Sequence, residues 1–95
     1  MKYVNVFVPK RGIFTYTCGG KDTVGDIVTI KIRSKQFKGI ILEEVDKPSF
    51  STKPIDENTN EKIPDYIIKL GNWIHKQYGA NREKSLQLVT QHWLT

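Results

Sequence analysis

Apolar and polar residues alternate through much of the first half of this chain. Large apolar residues occupy every second position from Val28 to Ile32, with Thr29, Lys31 and Arg33 between and after them. A period of two is typical of a strand that buries one face and exposes the other to water. A short polar connection at residues 34–36 and a β-rich run at residues 37–45 follow, so we predict a hairpin.

Two further strands are predicted before this hairpin. Tyr3–Val8 alternates valines with larger residues and ends at Pro9, which cannot donate to a strand ladder. Ile13–Thr17 is a short β-prone run, and glycines mark the loop that follows it. Within the later hairpin, Gly39 predicts a bulge or a close backbone approach.

The pattern changes in the second half. Residues 46–62 are mainly polar and proline-containing, which predicts an irregular crossing segment with a brief extended stretch at Lys53–Ile55. After it the apolar period becomes about 3.6 residues, which predicts a helix over Pro64–Tyr78 that Gly79 ends. Its apolar stripe consists of Ile63, Ile67, Leu70 and Ile74, with Tyr66 and Trp73 beside them.

A second, shorter helix is predicted after Asn81, a residue type that caps helix starts. Leu86, Val89 and Trp93 would share one side of it. The fold class is therefore α+β: a small antiparallel, barrel-like curved sheet packed against one long and one short C-terminal helix. We interpret residues 1–95 as a single domain, β-rich over 1–45, crossing over 46–62 and helical over 63–95.

The net positive charge of the chain comes from its β-rich part. Residues 1–40 carry eight Lys or Arg against two Asp, whereas residues 41–95 carry seven basic and eight acidic residues. Four of the cations lie between Lys31 and Lys38, where there is no acidic residue. Clustered cations favour a polyanionic partner, because they bind phosphates by releasing condensed counterions.

Signs of catalysis are missing from the sequence. It has no Walker-type loop, no dinucleotide fingerprint and no nucleophile elbow, and His75 and His92 fall on separate predicted helices. Cys18, the single cysteine, has no partner for a disulfide or a zinc site and is expected to fill core space. We therefore predict a non-enzymatic cytoplasmic chain with no cofactor, no metal and no membrane contact.

Aromatic residues lie among these cations. Phe14 and Tyr16 follow Arg11, and Phe37 lies between Lys35 and Lys38. Small barrels that bind single strands use aromatic faces to stack bases and neighbouring cations to hold phosphates. Because Phe14 and Tyr16 share one strand face and Thr15 takes the other, one of these two sets points into the core.

The order of motifs resembles the N-terminal 3′-DNA-binding domain of PriA, the primosomal replication-restart helicase. The resemblance covers nearly the whole chain, through a first strand ending in proline, Arg11–Tyr16, Gly25–Ile30, Gly39–Ile41, Lys53–Ile55 and Trp73–Tyr78. It implies a pocket for the 3′-terminal nucleotide of a nascent strand at a stalled fork. DNA is then the partner, with other primosome or single-strand-binding proteins engaged through a full-length parent.

Carried onto this sequence, the family's pocket corresponds to Phe14, Thr15 and Tyr16, the turn near Arg33, and Lys53. The nearby cations Arg11, Lys35 and Lys38 complete the predicted DNA-binding set. Two positions depart from the family: Thr15 replaces an aspartate, and Lys31-Ile32-Arg33 replaces Pro-Phe-Gly at the turn. A deep pocket of the family type has no room for an extra group, so the resemblance predicts that a 3′-hydroxyl binds more tightly than a 3′-phosphate.

Two other functions fit the same residues. A barrel-like adaptor could bind an acidic protein partner with its basic face, and a non-selective single-stranded nucleic-acid binder would lack the end pocket. An adaptor would ignore strand polarity, which separates it from a 3′-end binder.

Overall fold

The computed structural model describes residues 2–79 and 81–90. It contains one six-stranded sheet in the order β5-β2-β1-β4-β3-β6, followed by two helices, as the predicted α+β class requires. The strands are β1 (Lys2–Val8), β2 (Gly12–Cys18), β3 (Asp26–Ile32), β4 (Lys35–Val45), β5 (Lys53–Pro54) and β6 (Glu57–Lys62). The helices are α1 (Asp65–Tyr78) and α2 (Arg82–Thr90).

The curled sheet buries both of its faces. On the inner face, alternate residues of the long strands form one apolar cluster, and Tyr16 and Cys18 belong to it as neighbours on β2. On the outer face, Ile27 and Ile40 pack against α1, and Phe7 and Leu42 pack against Leu86 of α2. The predicted alternation of β1 and the burial of Cys18 are confirmed.

The crossing segment is more ordered than its composition predicts. Residues 53–62 contain β5, which pairs with β2, and β6, which pairs with β3. Between them, Ile55 N donates to Thr17 O (3.0 Å) and Asp56 N donates to Thr29 O (2.7 Å). One segment therefore hydrogen-bonds to both β2 and β3 and curls the sheet. Because β5 runs parallel to β2, the sheet is mixed and not purely antiparallel as predicted.

The β3–β4 turn lies earlier and is tighter than predicted. Ile32 pairs with Lys35, so Arg33 and Ser34 alone form the loop, with φ angles of 50° and 72°. Positive φ at both central residues is the backbone of a type I′ hairpin turn, whose twist matches that of the strands. The polar run at residues 34–36 gave no sign that pairing resumes at Lys35.

Gly39 marks a close backbone approach, one of the two predicted possibilities. A Cβ atom at this position would lie 2.5 Å from Val6 Cγ1 and 3.1 Å from Phe7 O. The bulge in this strand lies elsewhere, because the β1–β4 register passes from Asn5↔Glu43 to Val6↔Ile41 and leaves Leu42 as the extra residue.

The apolar stripe predicted for α1 is partly wrong. Ile67 and Ile68 are buried, whereas Leu70 is 42% and Trp73 50% exposed. The reason is α2, which approaches α1 at Gly71, where a Cβ atom would lie 2.9 Å from Leu86 Cδ2. This contact selects the face of α1 that is covered. Pro64 caps α1 from outside the helix instead of occupying its first turn.

The predicted helix boundaries at the α1–α2 connection are confirmed. Gly79 has a left-handed φ of 66° and donates its N–H to His75 O, which ends α1. Asn81 Oδ1 accepts from Glu83 N at 2.8 Å and caps α2. His92 and Trp93 lie outside the described residues. Neither described helix is long and apolar enough to cross a membrane.

Candidate nucleic-acid interface

The β2–β5 pairing places Lys53 beside the Phe14–Tyr16 element. Tyr16 and Lys53 are Cα partners, and Thr17 and Pro54 continue the parallel pair. Lys53 itself is exposed. The two elements that the resemblance assigns to one DNA-end pocket are therefore neighbours in space, although the whole β3–β4 hairpin separates them along the chain.

A hollow of about 320 Å³ lies between the β3–β4 turn and β5. It is at the small end of the range of roughly 300–1,000 Å³ found for ligand sites. Arg33 and Lys53 both line it, so the structure places Arg33, another predicted site residue, in the same hollow as Lys53. Its full lining consists of Lys31, Arg33, Ser34, Lys53, Pro54 and Asp56.

The charge balance of this hollow is positive. Its only carboxylate, Asp56, already has neighbours, because Lys31 Nζ lies 3.9 Å from Asp56 Oδ1 and Gln36 Nε2 donates to Asp56 Oδ2 at 3.0 Å. Within residues 2–79 and 81–90, Arg33 and Lys53 form no ion pair. Two cations without a counter-charge in one concavity favour an anionic ligand.

The two aromatic residues of β2 differ in exposure. Both point to the inner face, where Tyr16 is 6% exposed and belongs to the apolar cluster, whereas Phe14 is 37% exposed. Burial raises the pKa of the Tyr16 phenol. Phe14 is thus the ring that a base can reach, and Tyr16 supports the strand beneath it.

Thr15 points to the opposite, helix-facing side of β2. Its hydroxyl donates to Asn5 Oδ1 at 2.8 Å, and Asn5 Nδ2 donates to Glu43 Oε2 at 2.7 Å. Glu43 Oε1 in turn accepts from Arg82 Nη2 of α2 at 2.8 Å. The hydroxyl that replaces the family's carboxylate therefore belongs to a structural network and does not face the hollow.

This network also sets the ionisation of Glu43. The hydrogen bond from Arg82, together with that from Asn5, lowers the pKa of the Glu43 carboxyl in spite of partial desolvation. The bulge at Leu42 is what turns Glu43 toward Asn5, since an extra residue reverses the alternation of the strand. The network links the strand that carries Phe14 to α2.

The backbone of Thr15 faces the edge of β2 at which β5 pairs. The backbone oxygen of Thr17 accepts from Ile55 N, so the backbone groups of Thr17 point away from β1. Thr15 lies two residues earlier on the same strand, so its backbone groups point to the same edge. Strand β5 begins only at Lys53. Thr15 therefore faces β5 beside Lys53 with its backbone, and not with its side chain.

Basic hairpin tips lie together at one end of the sheet. Because β4 runs antiparallel to both β1 and β3, the β1–β2 and β3–β4 turns share that end. The guanidinium of Arg11, in the first turn, lies 4.9 Å from the ring centroid of Phe37 on β4. This is within the range of a cation–π contact and connects the two tips.

Lys35 and Lys38 leave β4 on different faces. Lys35 is at an inner-face position like Phe37, whereas Lys38 shares the outer face with Ile40. Both are exposed. The structure therefore separates Lys38 from Phe14 and the inner face, and neither lysine lines the hollow of Arg33 and Lys53.

Two charged lining residues, Lys31 and Asp56, were missed by the choice of site residues from the sequence. Lys31 belongs to the basic run that was recognised, and its outward position on β3 could have singled it out. Asp56 gave no signal, because it lies in the polar crossing segment whose path the sequence leaves open.

The family model of the 3′DNA-binding domain (3′BD) of PriA matches residues 3–91. The chain belongs to this family. PriA-type 3′DNA-binding domains are DNA-binding modules and not catalytic ones, which confirms the predicted non-enzymatic role of this chain. The match includes residues of all six strands and of both helices.

Two relatives carry the name replication restart protein PriA. The protein of Helicobacter pylori strain J99 is 34% identical over 74 residues, and that of strain 26695 is 32% identical over 74 residues. Each alignment covers 78% of this chain and 12% of the relative. The chain thus corresponds to a small part of the length of these PriA proteins.

Proposed function

We propose that this PriA-type domain holds the 3′ end of a DNA strand in the hollow between the β3–β4 turn and β5. The observation that carries the proposal is the pairing of Tyr16 with Lys53, which joins the aromatic strand to the cationic hollow. Phe14 stacks on a base, and Lys53 and Arg33 hold phosphate groups. Aromatic stacking with adjacent cations is the usual physical basis of single-strand binding.

The remaining predicted residues have supporting roles in this proposal. Arg11, Lys35 and Lys38 surround the hairpin tips and attract the phosphate backbone over a distance set by salt screening. Thr15 contributes its backbone, at the edge of β2 where β5 begins. Tyr16 fixes the inner side of that edge from within the apolar cluster.

The biological setting follows from the relatives. Both are named replication restart protein, so we propose that this domain directs such a protein to the 3′ end of a nascent strand at a stalled fork. The parent would be a cytoplasmic ATP-dependent helicase that works with primosome and single-strand-binding proteins. The domain would supply the recognition of DNA, and the rest of the parent would supply the motor.

Competition between a linear strand and a circular strand tests end recognition. A 5′-labelled single strand is bound to the domain, and unlabelled linear DNA or a ligated circle of the same sequence is added while fluorescence anisotropy is followed. We expect the circle to compete at least tenfold less well, a difference of about 1.4 kcal/mol. Equal competition would identify a non-selective strand binder, and displacement only by an acidic peptide would identify an adaptor.

A further inference from the structure

The end hollow carries more unpaired positive charge than one phosphodiester can neutralise. Arg33 and Lys53 line it without an ion-pair partner in the part of the chain that the structure describes, and Lys31 lies beside them. A phosphodiester linkage carries one negative charge. A terminal phosphomonoester carries about −1.5 to −2 at pH 7, which matches two cations more closely.

Arg33 and Lys53 are also suited to bind different oxygen atoms of a terminal phosphate. A guanidinium presents a planar fork of donors that bonds two phosphate oxygens at once, and an ammonium acts as a compact point charge. Arg33 therefore fits two terminal oxygens, and Lys53 fits a third. No third cation is needed, so Lys31 can keep its contact with Asp56.

Backbone structure holds both side chains at the rim of the hollow. Arg33 and Ser34 form a two-residue turn whose flanking residues Ile32 and Lys35 are paired, and Lys53 is paired with Tyr16. Arg33 has a φ of 50°, which costs energy for any residue except glycine. Positions that keep such a conformation without glycine cluster at functional sites.

The shape of the hollow does not exclude the phosphate group that a 3′-phosphate end adds. All residues that line the hollow are exposed, so the site is open to solvent and a terminal phosphate can enter beside the sugar. We propose that Arg33 and Lys53 make this domain prefer a 3′-terminal phosphate to a 3′-hydroxyl. The resemblance alone predicts the opposite order, because it assumes a deep and closed pocket.

The inference rests on the proposed binding of DNA ends and is tested by changing only the end group. Three labelled strands of one sequence are compared with the domain: a 3′-hydroxyl, a 3′-phosphate, and a 3′-hydroxyl strand with a 5′-phosphate. We expect roughly threefold to tenfold tighter binding of the 3′-phosphate strand. The 5′-phosphate adds the same charge at the wrong end and should leave affinity unchanged.

A variant of the β3–β4 turn tests whether the charge of Arg33 causes the preference for a 3′-phosphate. Arg33→Gly removes the guanidinium and also the strained φ, so the turn should still form, and the 3′-phosphate strand should lose its advantage. Lys76→Ala is the control, because it removes one exposed positive charge in the last turn of α1, outside the hollow, and should keep the preference. Lowering the pH from 7.5 to 5.5 should reduce the preference, since the second pKa of a phosphomonoester is about 6.

The outcomes separate this inference from the proposed function. Equal or weaker binding of the 3′-phosphate strand overturns the inference while linear DNA can still outcompete the circle. An advantage that survives in Arg33→Gly also overturns it, because the turn cation would then not be the cause. Equal competition by circle and linear strand instead overturns the proposed end recognition itself.

Discussion

Tyr16 and Lys53 lie side by side across the parallel contact of β2 and β5. This pairing joins a strand from the start of the chain to a segment that follows the central hairpin. It also places an exposed amine at the edge of the strand that carries Phe14. The site is therefore created by strand pairing between distant segments and not by a continuous motif.

Replacement of Lys53 by alanine should weaken DNA binding without unfolding the domain. The side chain is exposed, and the pairing of β5 uses only backbone groups. If the amine holds a phosphate, we expect an affinity loss of about 1–2 kcal/mol and a smaller salt dependence. Titration by fluorescence anisotropy at several salt concentrations measures both quantities.

The matched control for Lys53→Ala is Lys76→Ala. Lys76 is an exposed lysine in the last turn of α1, so the variant loses the same charge on another element. We expect its affinity to change far less. Similar losses in the two variants would mean that only net charge matters and would remove Lys53 from the site.

Glu43→Gln should destabilise the domain in a pH-dependent way. The pKa of Glu43 is lowered in the folded state, first by the hydrogen bond from Arg82. A lowered folded pKa stabilises the protein above the unfolded value and loses that stabilisation as the pH falls through the folded value. The difference in unfolding free energy from wild type should be largest above about pH 5 and shrink toward pH 3.

Solvent limits the size of this effect. The Glu43 side chain is 39% exposed, so we expect no more than about 1 kcal/mol at neutral pH. Glu44→Gln changes the same charge at the next residue, which is exposed and not bonded to Arg82, and should show little loss. Urea unfolding of both variants between pH 3 and pH 7 measures the comparison, and a constant difference across this range would contradict the assignment.

Gly39→Ala should strongly destabilise the sheet. The added methyl group would lie 2.5 Å from Val6 Cγ1 and 3.1 Å from the backbone oxygen of Phe7, in a central strand that cannot easily move. We expect a loss of about 2–3 kcal/mol, typical of an overpacked core. Thermal or urea unfolding gives this value.

Gly20→Ala is the corresponding control for the added methyl group. A Cβ atom at Gly20 meets no heavy atom within 4 Å. Its unfolding free energy should change by no more than about 0.5 kcal/mol. If Gly39→Ala were tolerated equally well, the close approach of β4 to β1 would be wrong.

Ser34→Gly should stabilise the β3–β4 turn. Ser34 has a φ of 72°, a conformation that glycine adopts without a steric penalty. Part of the gain is offset by the greater freedom of glycine in the unfolded chain, so we expect about 0.5–1 kcal/mol. Ser51→Gly, at an exposed loop residue without positive φ, should give no such gain in the same urea titration.

The sequence by itself determined the local elements and the family. Alternation fixed β1 and β3 because each strand must bury one face, and Gly79 and Asn81 fixed the connection of the helices through their own backbone and capping chemistry. The order of motifs identified the DNA-binding family before any contact was known. These features depend on neighbouring residues only.

Only the tertiary structure decided which segments meet. The path of residues 53–62 between β2 and β3 places Lys53 beside Tyr16 and brings Arg33 into the same hollow. The approach of α2 at Gly71 decided which side of α1 is covered, and the bulge at Leu42 turned Glu43 toward Asn5. Local patterns cannot specify such contacts, because each arises from the packing of surfaces that are distant in the chain.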